Sequence, residues 1–214
     1  MWILNFYQDC KRVFITMTGN PVIKFIKLWF VPSVHIMFVH RIGSGIVKLW
    51  PPFSWILLIP YAVLQFIIRV IYVAIIPART KIGPGCVILH SYGVHLHPLA
   101  KLGKNVTIAE QVGVGAAKLS DKKYPVIGDE VMLGIGSKIL GPITINHHAV
   151  VGANAVVLKD MPAYAVIGGV PAKVLKIHRP NKRKRENRYR PYRRNRNAHI
   201  KTDKRSGAIH INEK

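Results

Sequence analysis

Residues 126–157 read VIGDEVMLGIGSKILGPITINHHAVVGANAVV, and an aliphatic residue returns at every sixth position: Ile127, Leu133, Ile139, Ile145, Val151 and Val157. A helix repeats at about 3.6 residues and a strand at about 2, so a period of six fits neither a lone helix nor an ordinary sheet. Gly128, Gly134 and Gly152 follow three of the rungs, and Val131, Ser137, Ile143, Ala149 and Ala155 keep the position four after each rung small or medium. A solenoid reads this way: each short flat face points one apolar residue inward, and small residues fill tight corners.

The ladder reaches further back. Ile82, Ile88 and Val94 share one phase, and Leu96, Leu102, Ile108 and Val114 continue it after a two-residue slip. Between Val114 and Ile127 the rhythm breaks in a charged stretch that ends at Pro125. Such an insertion between two regular arrays predicts a loop over 115–125, either a binding loop or a tolerated surface insertion.

The rest of the chain is unlike an ordinary soluble domain. Residues 53–76, FSWILLIPYAVLQFIIRVIYVAII, carry a single charge, Arg69, and approach the length needed to cross a bilayer. Pro60, Gln65 and Arg69 argue against a clean span, so the stretch reads as a membrane-surface helix, a span, or a helix buried against other subunits. Met1 opens into an apolar, aromatic segment with Asp9, without the basic start and cleavage site of a signal peptide. Cys10 and Cys86 give neither a disulfide framework nor a metal spacing, which suits reduced thiols in a cytoplasmic context.

The 214 residues carry a net charge of +23. A run of Lys and Arg from Lys182 to Arg196 has no apolar periodicity, so the tail is expected to be disordered. Tyr189 and Tyr192 offer stacking faces for RNA, but the apolar segment in the same chain favours an anionic membrane surface over nucleic acid.

The hexads end in Ile167-Gly-Gly-Val-Pro-Ala-Lys173. This ending joined to the ladder resembles the hexapeptide-repeat acyltransferases, and over roughly residues 38–177 their serine acetyltransferase branch. Val39-His-Arg-Ile-Gly43 is similar to the helix before that branch's solenoid, and Lys81-Ile-Gly-Pro-Gly85 through His90 to its catalytic coil. The resemblance implies a mainly β fold: a left-handed parallel β-helix over 78–177, three hexads per coil, assembled as a homotrimer. It follows an apolar, membrane-associated helical segment over 1–77 and precedes a basic tail over 178–214. It also implies acetyl-CoA as co-substrate, with no metal.

Acetyl transfer from a thioester to a hydroxyl needs a base for the hydroxyl proton, and a neutral imidazole serves near cytoplasmic pH. The resemblance assigns that role to His90. It places Tyr124 where the branch has a second catalytic histidine, in reach of the acceptor. Ile135 and Ala153 would give main-chain contacts to the pantetheine arm of coenzyme A, and Lys159, Lys173 and Lys176 would face its phosphates.

Two carboxylates of the branch are replaced by Ile75 and Leu89. An ammonium group in the acceptor then lacks its partner, at a cost of about 1–3 kcal/mol. On that ground the expected acceptor is a sugar hydroxyl of a capsular or exopolysaccharide or its lipid-linked precursor, acetylated in the cytoplasm at the inner membrane. The alternatives are a serine O-acetyltransferase and a non-enzymatic trimeric scaffold that binds membrane or nucleic acid. Among the other histidines, His95 and His97 make a metal pair without a third ligand, His35 and His40 read as interfacial, and His147 and His148 as solvent-facing at a corner.

Overall fold

The computed structural model describes residues 2–118 and 120–178, together with the backbone of 200–202 and 209–211. Four helices come first: α1 (Trp2–Thr16), α2 (Pro21–Leu28), α3 (Pro32–Ile46) and α4 (Pro51–Tyr72). The chain then winds through short parallel strands on three faces. Face 1 carries β1 (Lys81–Ile82), β4 (Lys101–Leu102), β7 (Val126–Ile127) and β10 (Thr144–Ile145). Face 2 carries β2 (Val87–Ile88), β5 (Thr107–Ile108), β8 (Met132–Leu133), β11 (Val150–Val151) and β13 (Ala165–Gly168). Face 3 carries β3 (His95–Leu96), β6 (Gly113–Gly115), β9 (Lys138–Leu140) and β12 (Val156–Val157). An antiparallel strand, β14 (Lys173–Ile177), closes face 2 against β13.

Successive rungs take successive faces. Ile82, Ile88 and Leu96 begin three buried columns that run through Ile127, Leu133 and Ile139 to Ile145, Val151 and Val157. The period of six is thus one face plus one corner.

Corners after face 1 stack glycine on backbone. A Cβ on Gly103 would stand 2.7 Å from the Asp129 nitrogen and 2.8 Å from the Gly128 carbonyl carbon. Gly103→Ala is therefore expected to lower stability by about 2 kcal/mol. Gly115→Ala, with nothing within 4 Å of the added carbon, should be close to neutral. Equal melting temperatures for the two variants would contradict this packing.

The helical layer is held to the first coil by a buried ion pair. Arg41 donates from Nε and Nη2 to the two carboxylate oxygens of Asp9, at 2.9 and 3.1 Å. Its remaining donors reach the carbonyls of Ile82 and Gly83 at 2.6 and 2.7 Å. Asp9 also accepts from the backbone N–H of Cys86 at 2.9 Å, which joins α1, α3 and the first coil in one network. Burial pushes the Asp9 carboxyl above its ordinary value against the pull of Arg41. Arg12 on α1 adds hydrogen bonds to the Gly85 and Val106 carbonyls and to Thr107 Oγ1. Cys86 is fully buried, and burial pushes its thiol up to about 12, so it packs and is not reactive.

α4 departs from the sequence expectation at its end. It ends at Tyr72, where Val73 takes a left-handed conformation (φ 50°). Ala74 and Ile76 are then buried in the solenoid core, and Ile75 bridges to His95, so the coil begins inside the stretch read as apolar helix. Within α4 only Ser54, Tyr61 and Ile68 are buried. These lie on one narrow seam, two helical turns apart, and most of the remaining apolar surface is open. In α2 no residue is buried.

In the tail, where disorder is expected, β15 (Ile200–Thr202) and β16 (Ile209–Ile211) pair antiparallel. The expectation for 179–199, 203–208 and 212–214 lies outside the described residues.

Candidate active site

The two-residue slip in the ladder falls between Ile88 and Leu96, and it is the local cause of His90's position. In later coils the corner between faces 2 and 3 is turned by a single left-handed residue, Gln111, Gly136 or Asn154. In the first coil Gly93 takes that place, with Gln111 donating its backbone N–H to the Tyr92 carbonyl at 2.8 Å. The two extra residues form a bulge before it, where His90 itself takes φ 52°. Ser91 is tucked under the bulge, its hydroxyl donating to the Ile88 carbonyl at 2.9 Å. His90 is exposed, and its ring makes no hydrogen bond among the described residues. A non-glycine residue held at positive φ stores about 1 kcal/mol or more, and such strain gathers at functional positions.

Ile135 and Ala153 occupy the same edge as His90, two and three coils further on. Adjacent strands are spaced by about 4.8 Å, which puts them about 10 and 14 Å along the edge from His90. Among the described residues neither of their backbone N–H groups is hydrogen-bonded, while the amides on either side of each are. The edge thus presents unpaired donors below His90, as a carbonyl-bearing arm requires. Lys173 faces Gly168 across the β13–β14 ladder and Lys176 faces Val166, so both stand at the far end of this side of the solenoid.

Two predicted residues lie elsewhere. Lys159 follows β12 and precedes the bridge of Met161 to Ile145, on the edge between faces 3 and 1. Tyr124 sits on that edge too, at the end of the loop, with its ring stacked on His97 at 3.9 Å between centroids. Face 3 separates both from His90 within one chain. They can meet the His90 edge only across a subunit boundary.

The remaining histidines divide differently from expectation. His147 is solvent-facing, but His148 is largely covered, stacked on Tyr164 at 4.7 Å and 3.1 Å from Glu130. His40, read as interfacial, is buried in the helical layer. Its burial in α3, with Arg41 alongside, lowers its imidazole to about 3 and keeps it neutral. His35 bonds to the Tyr72 hydroxyl and the Trp29 carbonyl. No group of three metal-ligating side chains occurs among the described residues.

The sequence of residues 124–159 matches the family of bacterial transferase hexapeptide repeats (six repeats). Serine acetyltransferase of Mycobacterium tuberculosis is 36% identical over 151 residues, which cover 70% of this chain and 63% of that protein. Serine acetyltransferase of Staphylococcus xylosus is 40% identical over 97 residues, 45% of each chain. Among solved structures, Neisseria gonorrhoeae serine acetyltransferase superposes with a TM-score of 0.71 at 25% identity, covering 87% of this chain and 71% of that one. A serine acetyltransferase in complex with CoA gives 0.69 at 26% identity, covering 81% and 69%.

Residues 124–159 carry the repeats of the bacterial hexapeptide transferases, and the fold is that of the solved serine acetyltransferases.

Within that family its likeness runs to the serine acetyltransferase branch, and its solenoid is the left-handed parallel β-helix. The chain spans about two-thirds or less of the length of these curated relatives. These relatives and structural neighbours overturn the polysaccharide reading. That reading leaned on the carboxylates lost at Ile75 and Leu89, and missing groups identify no acceptor; these relatives and neighbours are serine acetyltransferases.

Proposed function

We propose that this hexapeptide-repeat protein is an acetyl-CoA-dependent O-acetyltransferase whose acceptor is the hydroxyl of serine. The observation that carries the reading is His90, held out on a strained bulge at the head of an edge that offers unpaired amides at Ile135 and Ala153. In the proposed mechanism coenzyme A lies along this edge. The amides of Ile135 and Ala153 hold the pantetheine carbonyls, and Lys173 and Lys176 neutralise the phosphates. His90 takes the proton from the serine hydroxyl as its oxygen attacks the thioester carbonyl, and collapse of the tetrahedral intermediate expels the thiolate. In a homotrimer a neighbouring subunit supplies Tyr124 to the acceptor and Lys159 to the nucleotide end.

Ile75 and Leu89 leave the serine ammonium without the two carboxylates of the branch, which predicts weak acceptor affinity and leaves the chemistry at the hydroxyl intact. The test is initial-rate release of coenzyme A with and without serine. A rate that rises and saturates with serine supports the reading, and the same background rate in both removes it.

The proposed location is the cytoplasmic side of the inner membrane. α4 is long and apolar enough to cross a bilayer, with 11% of its apolar window buried, and Trp29 and Phe30 beyond α2 are also exposed. Open apolar surface on this scale marks a membrane or partner surface. Together with the basic tail it supplies hydrophobic and electrostatic attachment. Full-length protein is expected to co-sediment with anionic vesicles. Truncation after Ile177 should weaken that binding, most at low salt. Full-length protein that stays in the supernatant would assign the α4 surface to other subunits.

A further inference from the structure

We propose that the cleft between α3 and face 1 of the solenoid is a binding site for a phosphate-bearing ligand, separate from the His90 edge. The cleft has a volume of about 640 Å³, within the usual range of small-molecule sites, and Lys48, Arg79, Lys81 and Lys101 line it. Among the described residues no aspartate or glutamate lines it. A plain solvated basic face would read similarly in composition, but two features point to a ligand.

The first is the register of β1 and β4. Lys81 pairs directly with Lys101, and Ile82 with Leu102, so two like charges stand opposite each other on the outer side of face 1. Directly opposed like charges destabilise a sheet, and an anion held between them removes that cost. The second is the shape. His40, at 1% exposure and with both ring nitrogens sealed off, closes the wall behind the cations, so an anion is met by Lys48, Arg79, Lys81 and Lys101 in a hollow and not on a flat face.

The two neighbouring hydroxyls are already engaged. The Ser44 hydroxyl donates to the Arg41 carbonyl, and Thr80 Oγ1 to the His97 carbonyl. The donors that remain are the Asn5 amide and the cationic side chains, and the cations are what phosphate recognition requires. A second hollow of about 630 Å³ shares Arg79, Lys81 and Lys101 and adds Lys122 and Lys123, which extends the basic strip along face 1. Lys48 stands just before Trp50 and the start of α4, so the same chemistry serves a free phosphate compound or a lipid headgroup beside the apolar helix.

The inference does not depend on the acetyl-transfer reading, and its test measures binding alone. Full-length protein is titrated with inorganic pyrophosphate and, separately, with phosphatidylcholine vesicles containing phosphatidylglycerol. Both titrations are repeated for R79Q/K81Q/K101Q and for K104Q/K118Q/K138Q, which removes the same charge from the solenoid outside the cleft. All six side chains are exposed, so both variants should fold, and far-UV circular dichroism checks this. The cleft variant is expected to lose at least about tenfold in affinity and the control variant little. A loss confined to pyrophosphate identifies a soluble phosphate compound, whereas a loss of vesicle binding identifies a headgroup. Equal losses in the two variants, or none in the cleft variant in either titration, overturn the site.

Discussion

Turnover of the His90→Ala variant is expected to fall by at least about a hundredfold, with coenzyme A binding retained. Loss of a positioned general base removes roughly that factor, while the amides of Ile135 and Ala153 and the lysines of β14 are untouched. His147→Ala should leave turnover almost unchanged, since that ring is on the corner between faces 1 and 2, away from the His90 edge. Steady-state rates of thiol release and a coenzyme A titration separate the two effects. A His90→Ala enzyme with near-normal turnover would remove the base assignment. One that loses coenzyme A binding in parallel would make His90 a binding residue.

The largest effect on stability is expected from Arg41→Met. The substitution leaves Asp9 buried without its partner and removes the bonds to the Ile82 and Gly83 carbonyls. Breaking a buried pair in this way costs about 3–5 kcal/mol, because the remaining charge keeps its desolvation penalty. The pair is also the joint between the helices and the first coil, so α1 and α3 should loosen before the later coils unfold. Denaturant unfolding measures the loss. Replacing Asp9 together with Arg41 by apolar residues should recover part of it, as no lone charge is then buried. A loss below about 1 kcal/mol for Arg41→Met would show that the network contributes little.

The solenoid could be read from the sequence because its period is carried by single residues at fixed spacing. Each face admits one inward side chain per coil, so Ile127, Leu133 and Ile139 announce three faces without any knowledge of partners. A slip was visible too, but the sequence placed it after Val94; only the structure shows that Leu96 is the next rung after Ile88 and that the extra residues form the bulge that lifts His90 out of the corner. What sequence periodicity cannot carry is pairing across distance. Asp9 and Arg41 each look misplaced in an apolar stretch, and their partnership depends on how α1 crosses α3. The burial of His40 and the covering of His148 by Tyr164 are hidden for the same reason.

The candidate site was legible only in part. His90, Ile135 and Ala153 share an edge because they follow face-2 strands, which the hexads already order. Tyr124 and Lys159 belong to another edge, so a list of residues read along one chain merged two surfaces that only assembly can join. The acceptor was misjudged because missing carboxylates at 75 and 89 say what is absent in one chain and nothing about what a neighbouring subunit supplies.

With acetyl-CoA labelled in the acetyl group and serine as the sole added acceptor, the label is predicted on the serine oxygen, formed at the rate of thiol release and abolished in His90→Ala. Label recovered only as free acetate, or left on coenzyme A, would contradict acetyl transfer to serine.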